Sequence, residues 1–203
     1  IEHNYQNDPD FINKMENLMN IYPFFTNIGD EKITLEPKPI TNIYDKAIGN
    51  DFHVKYIIDQ NVDDFATEES LEKIRTMFWA NKNKEEVFNN GKTNVAVHIR
   101  RANSHDNDIQ NRMNIENEYF LNAIQRIRGE HKDKDLLFHI YSQGEINTFD
   151  VFKSDDIILH INEDICKTFI DLVGADILLT SSSALSFSAA FLNSGIIYFT
   201  NHC

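Results

Sequence analysis

The chain has 203 residues, 41% of them hydrophobic and 11% aromatic, enough to bury the core of one large α/β domain, or of one domain with part of another. Its formal charge of -13 excludes the basic footprint that nucleic acid or an anionic membrane surface requires, and no apolar run approaches the roughly 20 residues of a membrane-spanning helix. Two cysteines, Cys166 and Cys203, build neither a disulfide framework nor a metal-ligand cluster, so the expectation is a soluble, cytoplasmic protein without a metal site.

All four prolines, Pro9, Pro23, Pro37 and Pro39, fall in the first 66 residues, where they interrupt short apolar pieces. Phe11, Met15, Leu18 and Met19 have helical spacing, and Phe52 to Ile58 reads as a strand. This region is a candidate remnant of a separate lobe. Thr67 is placed to cap a helix with an acidic first turn, Glu68 and Glu69, and an apolar stripe of Leu71, Ile74, Met77 and Phe78. The polar stretch from Asn81 to Lys92 reads as a linker, which divides the chain into an amino-terminal region, 1–90, and a second domain, 91–203.

From Asn94 the pattern becomes regular. Val95 to Arg101 (VAVHIRR) is a strand buried on both faces that ends in two guanidinium groups. After a polar loop, Asn114 caps a helix carrying Tyr119, Phe120, Ala123, Ile124 and Ile127, ended by Gly129. Leu136 to Tyr141 is a second strand, Glu145 to Phe152 a short helical turn, and Ile157 to Ile161 a third strand. Asn162 then caps a helix with Ile165, Phe169, Leu172 and Val173 inward and Gly174 at its end. Asp176 to Thr180 is a fourth strand, Ala184 to Asn193 a helix apolar nearly all round, and Ile196 to Phe199 a fifth strand. This alternation predicts right-handed crossovers and a Rossmann-like α/β fold, a parallel sheet with helices on both faces.

In such a sheet the segments that follow each strand emerge on one edge, where ligands bind. Arg100 and Arg101 follow the first strand there, and Thr180, Ser181, Ser182 and Ser183 follow the fourth, directly before a helix. Arginine forks together with hydroxyls and free N–H groups at a helix N-terminus describe a diphosphate pocket. Surface pairing of the arginines and simple capping by the serines are the plainer alternatives. Ser142, Gln143 and Gly144 open on the same edge, as a base or ribose contact or as an ordinary turn. His98 precedes the arginines, as a nucleotide contact or as a satisfied core histidine. His105, Asp106 and Asp108 lie in the loop beyond and are weaker candidates for a base. His139 and His160 sit in other strands with no ligand-like spacing. The dinucleotide fingerprint, the Walker loop and the nucleophile elbow are all absent from the sequence.

Two of these stretches resemble motifs of the fucosyltransferase superfamily, which includes the α-1,2-, α-1,6- and protein O-fucosyltransferases. Val97 to Arg101 (VHIRR) is similar to its H-x-R-R motif, and Ala175 to Ala190 (ADILLTSSSALSFSAA) to a later strand and serine-rich segment. The order and separation are similar too, and Ser142 to Gly144 lies where that superfamily has another nucleotide-contacting loop. The resemblance covers about residues 94 to 200. It implies a GT-B glycosyltransferase whose carboxy-terminal lobe binds GDP-fucose, transfers the sugar to a glycan or glycoconjugate with inversion, and needs no metal or cofactor beyond the donor. By position, Arg100 would hold the β-phosphate and stabilise the leaving GDP, His98 would contact the nucleotide, and Ser181, Ser182 and Ser183 would line the diphosphate. The chain departs from the pattern at Ala102 and Asn103, where many members have Gly-Asp, and at Ala184, where they have serine. Those departures and the short first region keep a second reading in play, a non-catalytic nucleotide- or glycan-binding domain. A third is an enzyme of unrelated chemistry on the same sheet.

Overall fold

Apart from His98, the run from Val95 to Ile99 is wholly apolar and mostly β-branched, and a strand of that kind is stable only where both faces are covered. It occupies the middle of the sheet. The computed structural model describes Lys14, Asn17, Leu18, residues 68–102 and residues 115–200. In chain order the elements are α1 (Glu68–Trp79), a 3-10 turn (Lys84–Glu86), β1 (Thr93–His98), α2 (Asn117–Glu130) and β2 (Leu136–Ser142). A longer 3-10 turn (Ile146–Phe152), β3 (Ile157–Ile161), α3 (Ile165–Gly174), β4 (Ile177–Leu179), α4 (Ala184–Leu192) and β5 (Ile196–Tyr198) follow.

The five strands pair in the order β3-β2-β1-β4-β5, and every pairing is parallel. Val97 of β1 lies opposite Ile140 of β2 on one side and Leu179 of β4 on the other, a register that stacks apolar residues across the centre. Because successive strand residues point to opposite faces, β1 feeds two cores. Val95, Val97 and Ile99 join Phe120, Ile124 and Ile127 of α2, and Phe149 and Phe152 of the 3-10 turn. Ala96 joins Phe78 of α1, Phe169 and Leu172 of α3, and Ala189 and Leu192 of α4, with Leu18 packed in the same cluster. The architecture is therefore a Rossmann-like α/β layer with helices on both faces. No helix among the described residues is long and apolar enough to cross a membrane.

The strand order reverses between β1 and β4, and the crossovers on the two sides of that point run over opposite faces. In open parallel sheets, ligands bind in the crevice at the carboxyl ends of the strands at such a switch point. Buried Asn193 secures the α4 end of the second layer, donating to the carbonyls of Leu172 and Ala175 at 2.9 Å each. Gly195 then brings the chain so close to β4 that a Cβ would stand 2.2 Å from the Asp176 carbonyl oxygen, so no other residue fits without moving backbone.

Several local expectations are corrected. The α3 cap is Asp164, whose carboxylate accepts from the amides of Cys166 and Lys167 at 2.9 and 3.0 Å, and Asn162 has a different task, described below. Two carboxylate bonds at the positive end of the helix dipole outcompete a neutral amide two residues earlier. Helix α2 runs one residue beyond Gly129, to Glu130, and closes on a bond from the His131 amide to the Ile127 carbonyl, whereas α3 ends at Gly174 as expected. Ile74 is 45% exposed, so the inward face of α1 centres on Phe78 instead. The position before α2 is Glu116, without a side-chain cap bond. Thr67, Asn103, His105, Asp106, Asp108, Asn114, Cys203 and the expected strand at 52–58 lie outside the described residues.

Candidate functional site

The loops after β1 and β4 meet at this crevice through one hydrogen bond: Ser181 Oγ lies 2.9 Å from His98 Nδ1, and both residues are buried. The two are 83 positions apart in the chain, and the parallel pairing of β1 with β4 brings them together. Burial, and then the charge of Arg100, pushes the His98 imidazole down to about 4, so at neutral pH the ring is uncharged. A neutral ring has one donor and one acceptor nitrogen, and a hydroxyl satisfies either. His98 thus orients Ser181 and adds no positive charge of its own, and Arg100, half-buried two residues further on, is the cation whose charge bears on that ring.

The two arginines have different settings. Arg101 donates through Nη1 to the carbonyl of Ile115 at 2.9 Å and of Arg100 at 3.1 Å, and through Nη2 to the Asn117 side chain. Its guanidinium also lies 5.5 Å from the Phe149 ring centre. Arg101 is a strut between the β1 loop and the start of α2.

The β2 loop is lashed to the β1 loop. Ser142 Oγ donates to the Ile99 carbonyl at 2.6 Å, and Gln143 Nε2 donates to the Arg101 carbonyl at 3.0 Å. Gly144 has φ +117°, a conformation that excludes most side chains. Its peptide is clasped by Asn162, whose Oδ1 accepts from the Gly144 amide and whose Nδ2 donates to the Gly144 carbonyl, both at 2.9 Å. Asn162 itself is left-handed at φ +61°, and its own amide donates to the Ser142 carbonyl at 2.9 Å. The side-chain amide acts here as an extra peptide unit, prolonging the β2–β3 ladder past its end.

The serine turn is built in the same way. Thr180 faces β5, its amide donating to the Tyr198 carbonyl at 3.0 Å and its hydroxyl accepting from the Thr200 amide at 3.3 Å. Buried Ser186 pins the turn from inside α4: its hydroxyl accepts from the Ser181 amide at 3.2 Å and donates towards the Ser181 carbonyl at 3.3 Å. Ser183 occupies the cap position of α4 with no side-chain cap bond, so its hydroxyl leaves the first-turn N–H groups to other acceptors. Ser182 and Ser183 are half-buried.

Of the residues expected at the site, His98, Ser181 and the serine turn are thus drawn together, Arg100 stands at the same strand end, and Ser142, Gln143 and Gly144 line the adjoining rim. Thr180 and Arg101 are turned to internal partners. The supporting residues Asn117, Asn162 and Ser186 were not anticipated. Only Asn162 carried a local signal, as an asparagine between a strand and a helix, where left-handed backbone is common.

No family model matches the sequence, and no curated protein does. Solved structures similar to this chain include two of POFUT1 in complex with GDP, a high-resolution dataset and crystal form III, each 12% identical. Their TM-scores are 0.40 and 0.38, and the alignments cover 64% and 65% of this chain. The chain spans about half the length of those proteins, 52% of one and 46% of the other.

Proposed function

We propose that the chain is a glycosyltransferase that binds a nucleotide sugar at the β1/β4 crevice and transfers fucose from GDP-fucose to a hydroxyl of a glycan or glycoconjugate, with inversion. The contact between His98 and Ser181 carries the reading, because it joins the basic strand end to the serine turn at the switch point of the sheet. The resemblance of both stretches to fucosyltransferase motifs supplies the donor. In this reading residues 91–203, with α1 packed on their second core, form the nucleotide-sugar domain, and the remainder of residues 1–90 contributes on the acceptor side.

The acceptor oxygen attacks the anomeric carbon as the bond from that carbon to the β-phosphate oxygen breaks. GDP leaves with the bonding pair, and the hydroxyl proton passes to a base. Arg100 meets the charge growing on the departing diphosphate, while Ser182, Ser183 and the first turn of α4 offer further donors. His98 and Ser181 hold that turn in register. No metal ion and no further cofactor is assigned a part.

Calorimetry of the 203-residue chain with GDP and GDP-fucose tests the proposal. Arg100→Ala should weaken binding by about 1.5 to 3 kcal/mol, and Arg100→Lys should restore little of it, since a point charge cannot reproduce the fork. Undetectable binding by the unaltered chain, or full binding by Arg100→Ala, defeats it.

A second reading is favoured by the internal partners of Arg101, which leave one cation of the basic pair in a structural role. On that reading the chain is a non-catalytic nucleotide- or glycan-binding module. A donor turnover assay with oligosaccharide acceptors separates the two, because a module holds GDP but releases none from GDP-fucose.

A further inference from the structure

On the sheet face covered by α3 lies a set of titratable groups outside the crevice. His139 Nε2 stands 3.1 Å from Asn94 Oδ1, His139 Nδ1 stands 3.0 Å from His160 Nε2, and His160 Nδ1 stands 2.7 Å from Glu163 Oε1. Three contacts therefore join four ring nitrogens to an amide oxygen at one end and a carboxylate at the other. The Tyr141 ring stacks on His160 at 4.5 Å and 8°. The charged groups around the pair are Glu163 on the β3–α3 turn and Lys167 and Asp171 on α3, with the Tyr141 phenol on β2. Lys167 Nζ lies 3.2 Å from Glu163 Oε2 and 2.5 Å from Asp171 Oδ2, and Tyr141 donates to Asp171 at 2.9 Å.

The orientation of Asn94 is settled by its neighbours. Its Nδ2 donates to the Lys92 carbonyl at 2.9 Å, and its Oδ1 accepts from Asn90 Nδ2 at 2.7 Å. Asn90 is set in turn by the Lys92 amide, which donates to its Oδ1 at 2.9 Å. Reversing Asn94 would face oxygen with oxygen at one contact and N–H with N–H at another. The oxygen towards His139 is therefore an acceptor, and His139 Nε2 must donate. At the other end Glu163 is an anion: burial opposes its charge, but hydrogen bonds from His160 and Lys167 outweigh burial and hold the carboxyl below its ordinary range. His160 Nδ1 must donate as well. The central contact between the rings needs one proton more.

We infer that His139 and His160 together hold three ring protons, one more than two neutral rings, and that this shared positive charge fastens the β3–α3 turn beneath the Gly144 loop as a pH-sensitive anchor. Burial of His139, and then the charge of His160, push the His139 ring down to about 4, and the 2.7 Å contact of His160 Nδ1 with Glu163 sets the carboxylate beside the charge that the pair shares. The cluster is then neutral, two anions against Lys167 and the pair. Removing the third proton sets two lone pairs face to face at the central contact and leaves one ammonium against two carboxylates. Asn162 lies between His160 and Glu163 in the chain and holds Gly144 by both peptide atoms, so a loosened turn reaches the crevice rim through that clasp. The inference does not depend on what the crevice binds.

Nitrogen-15 NMR of the 203-residue chain labelled at histidine and glycine tests it directly. At pH 7 and low temperature the pair should show three nitrogen-bound ring protons; two would overturn the charge assignment. On raising the pH, the Gly144 amide resonance should move with the same midpoint as the loss of the third proton. A Gly144 amide that stays fixed while the rings titrate would overturn the coupling. Glu163→Gln should lose the third proton at pH 7, and a variant that keeps all three refutes the role given to the carboxylate. Both unaltered-chain readouts decide the matter even if that variant fails to fold.

Discussion

The hydrogen-bond partners of Arg101 give it a structural task. A guanidinium has five donors and no acceptor, and Arg101 directs several of its donors at backbone and Asn117, whereas the charge of Arg100 bears on His98 at the crevice. The contact from His98 to Ser181 is a buried polar pair, and a buried group that loses its partner keeps its full desolvation penalty. Ser181→Ala should therefore cost about 1 to 3 kcal/mol, because Nδ1 of His98 is left unpaired. Urea unfolding reads this as a lower midpoint at unchanged slope. A midpoint equal to that of the unaltered chain would mean that the ring finds another partner and that the pair does not hold the turn.

Among the elements, the helices are secured at their ends and the loops at their flanks. Helix α3 carries Lys167 and Asp171 to the histidine pair, and the two carboxylate bonds from Asp164 begin it. Asp164→Ala should destabilise the protein by about 1 kcal/mol, and Asp164→Asn or Asp164→Ser should recover most of the loss. Thermal unfolding of the three variants distinguishes a capping role, which those replacements rescue, from a dependence on the negative charge, which they do not. The loops are fastened in sequence: β2 to β1 through Ser142 and Gln143, β3 to β2 through Asn162. Each segment of the rim thus rests on the next strand outward, which leaves little slack where a ligand would sit.

For the molecule as a whole, acid is the sensitive direction. His98 titrates near 4 in the folded chain against 6.5 ordinarily, so between those values the unfolded chain binds more protons and stability rises with pH. The contribution is complete above 6.5 and is lost as pH falls towards 4, by on the order of 3 kcal/mol. His139, lowered by burial and by His160, acts in the same sense. Urea unfolding at pH 7, 5.5 and 4.5 should show the decline, and the His98 ring resonance should stay in its neutral position at pH 5. A ring already half protonated at pH 6 would refute the burial argument.

The sequence by itself determined the layered architecture. Apolar runs of period two or none, alternating with helical stripes such as Phe120, Ile124 and Ile127, are local signals, and five parallel strands with helical crossovers satisfy them. It also put the basic and serine-rich segments on one sheet edge, because parallel strands all finish on the same side. Only the tertiary structure decided that Arg101 turns inward, that Asn162 clasps Gly144 while Asp164 caps α3, and that His139 and His160 touch. Those outcomes rest on distances near 3 Å between residues 14 to 83 positions apart or on a competition between neighbouring caps, and strand register and helix placement set such distances once the whole core has packed.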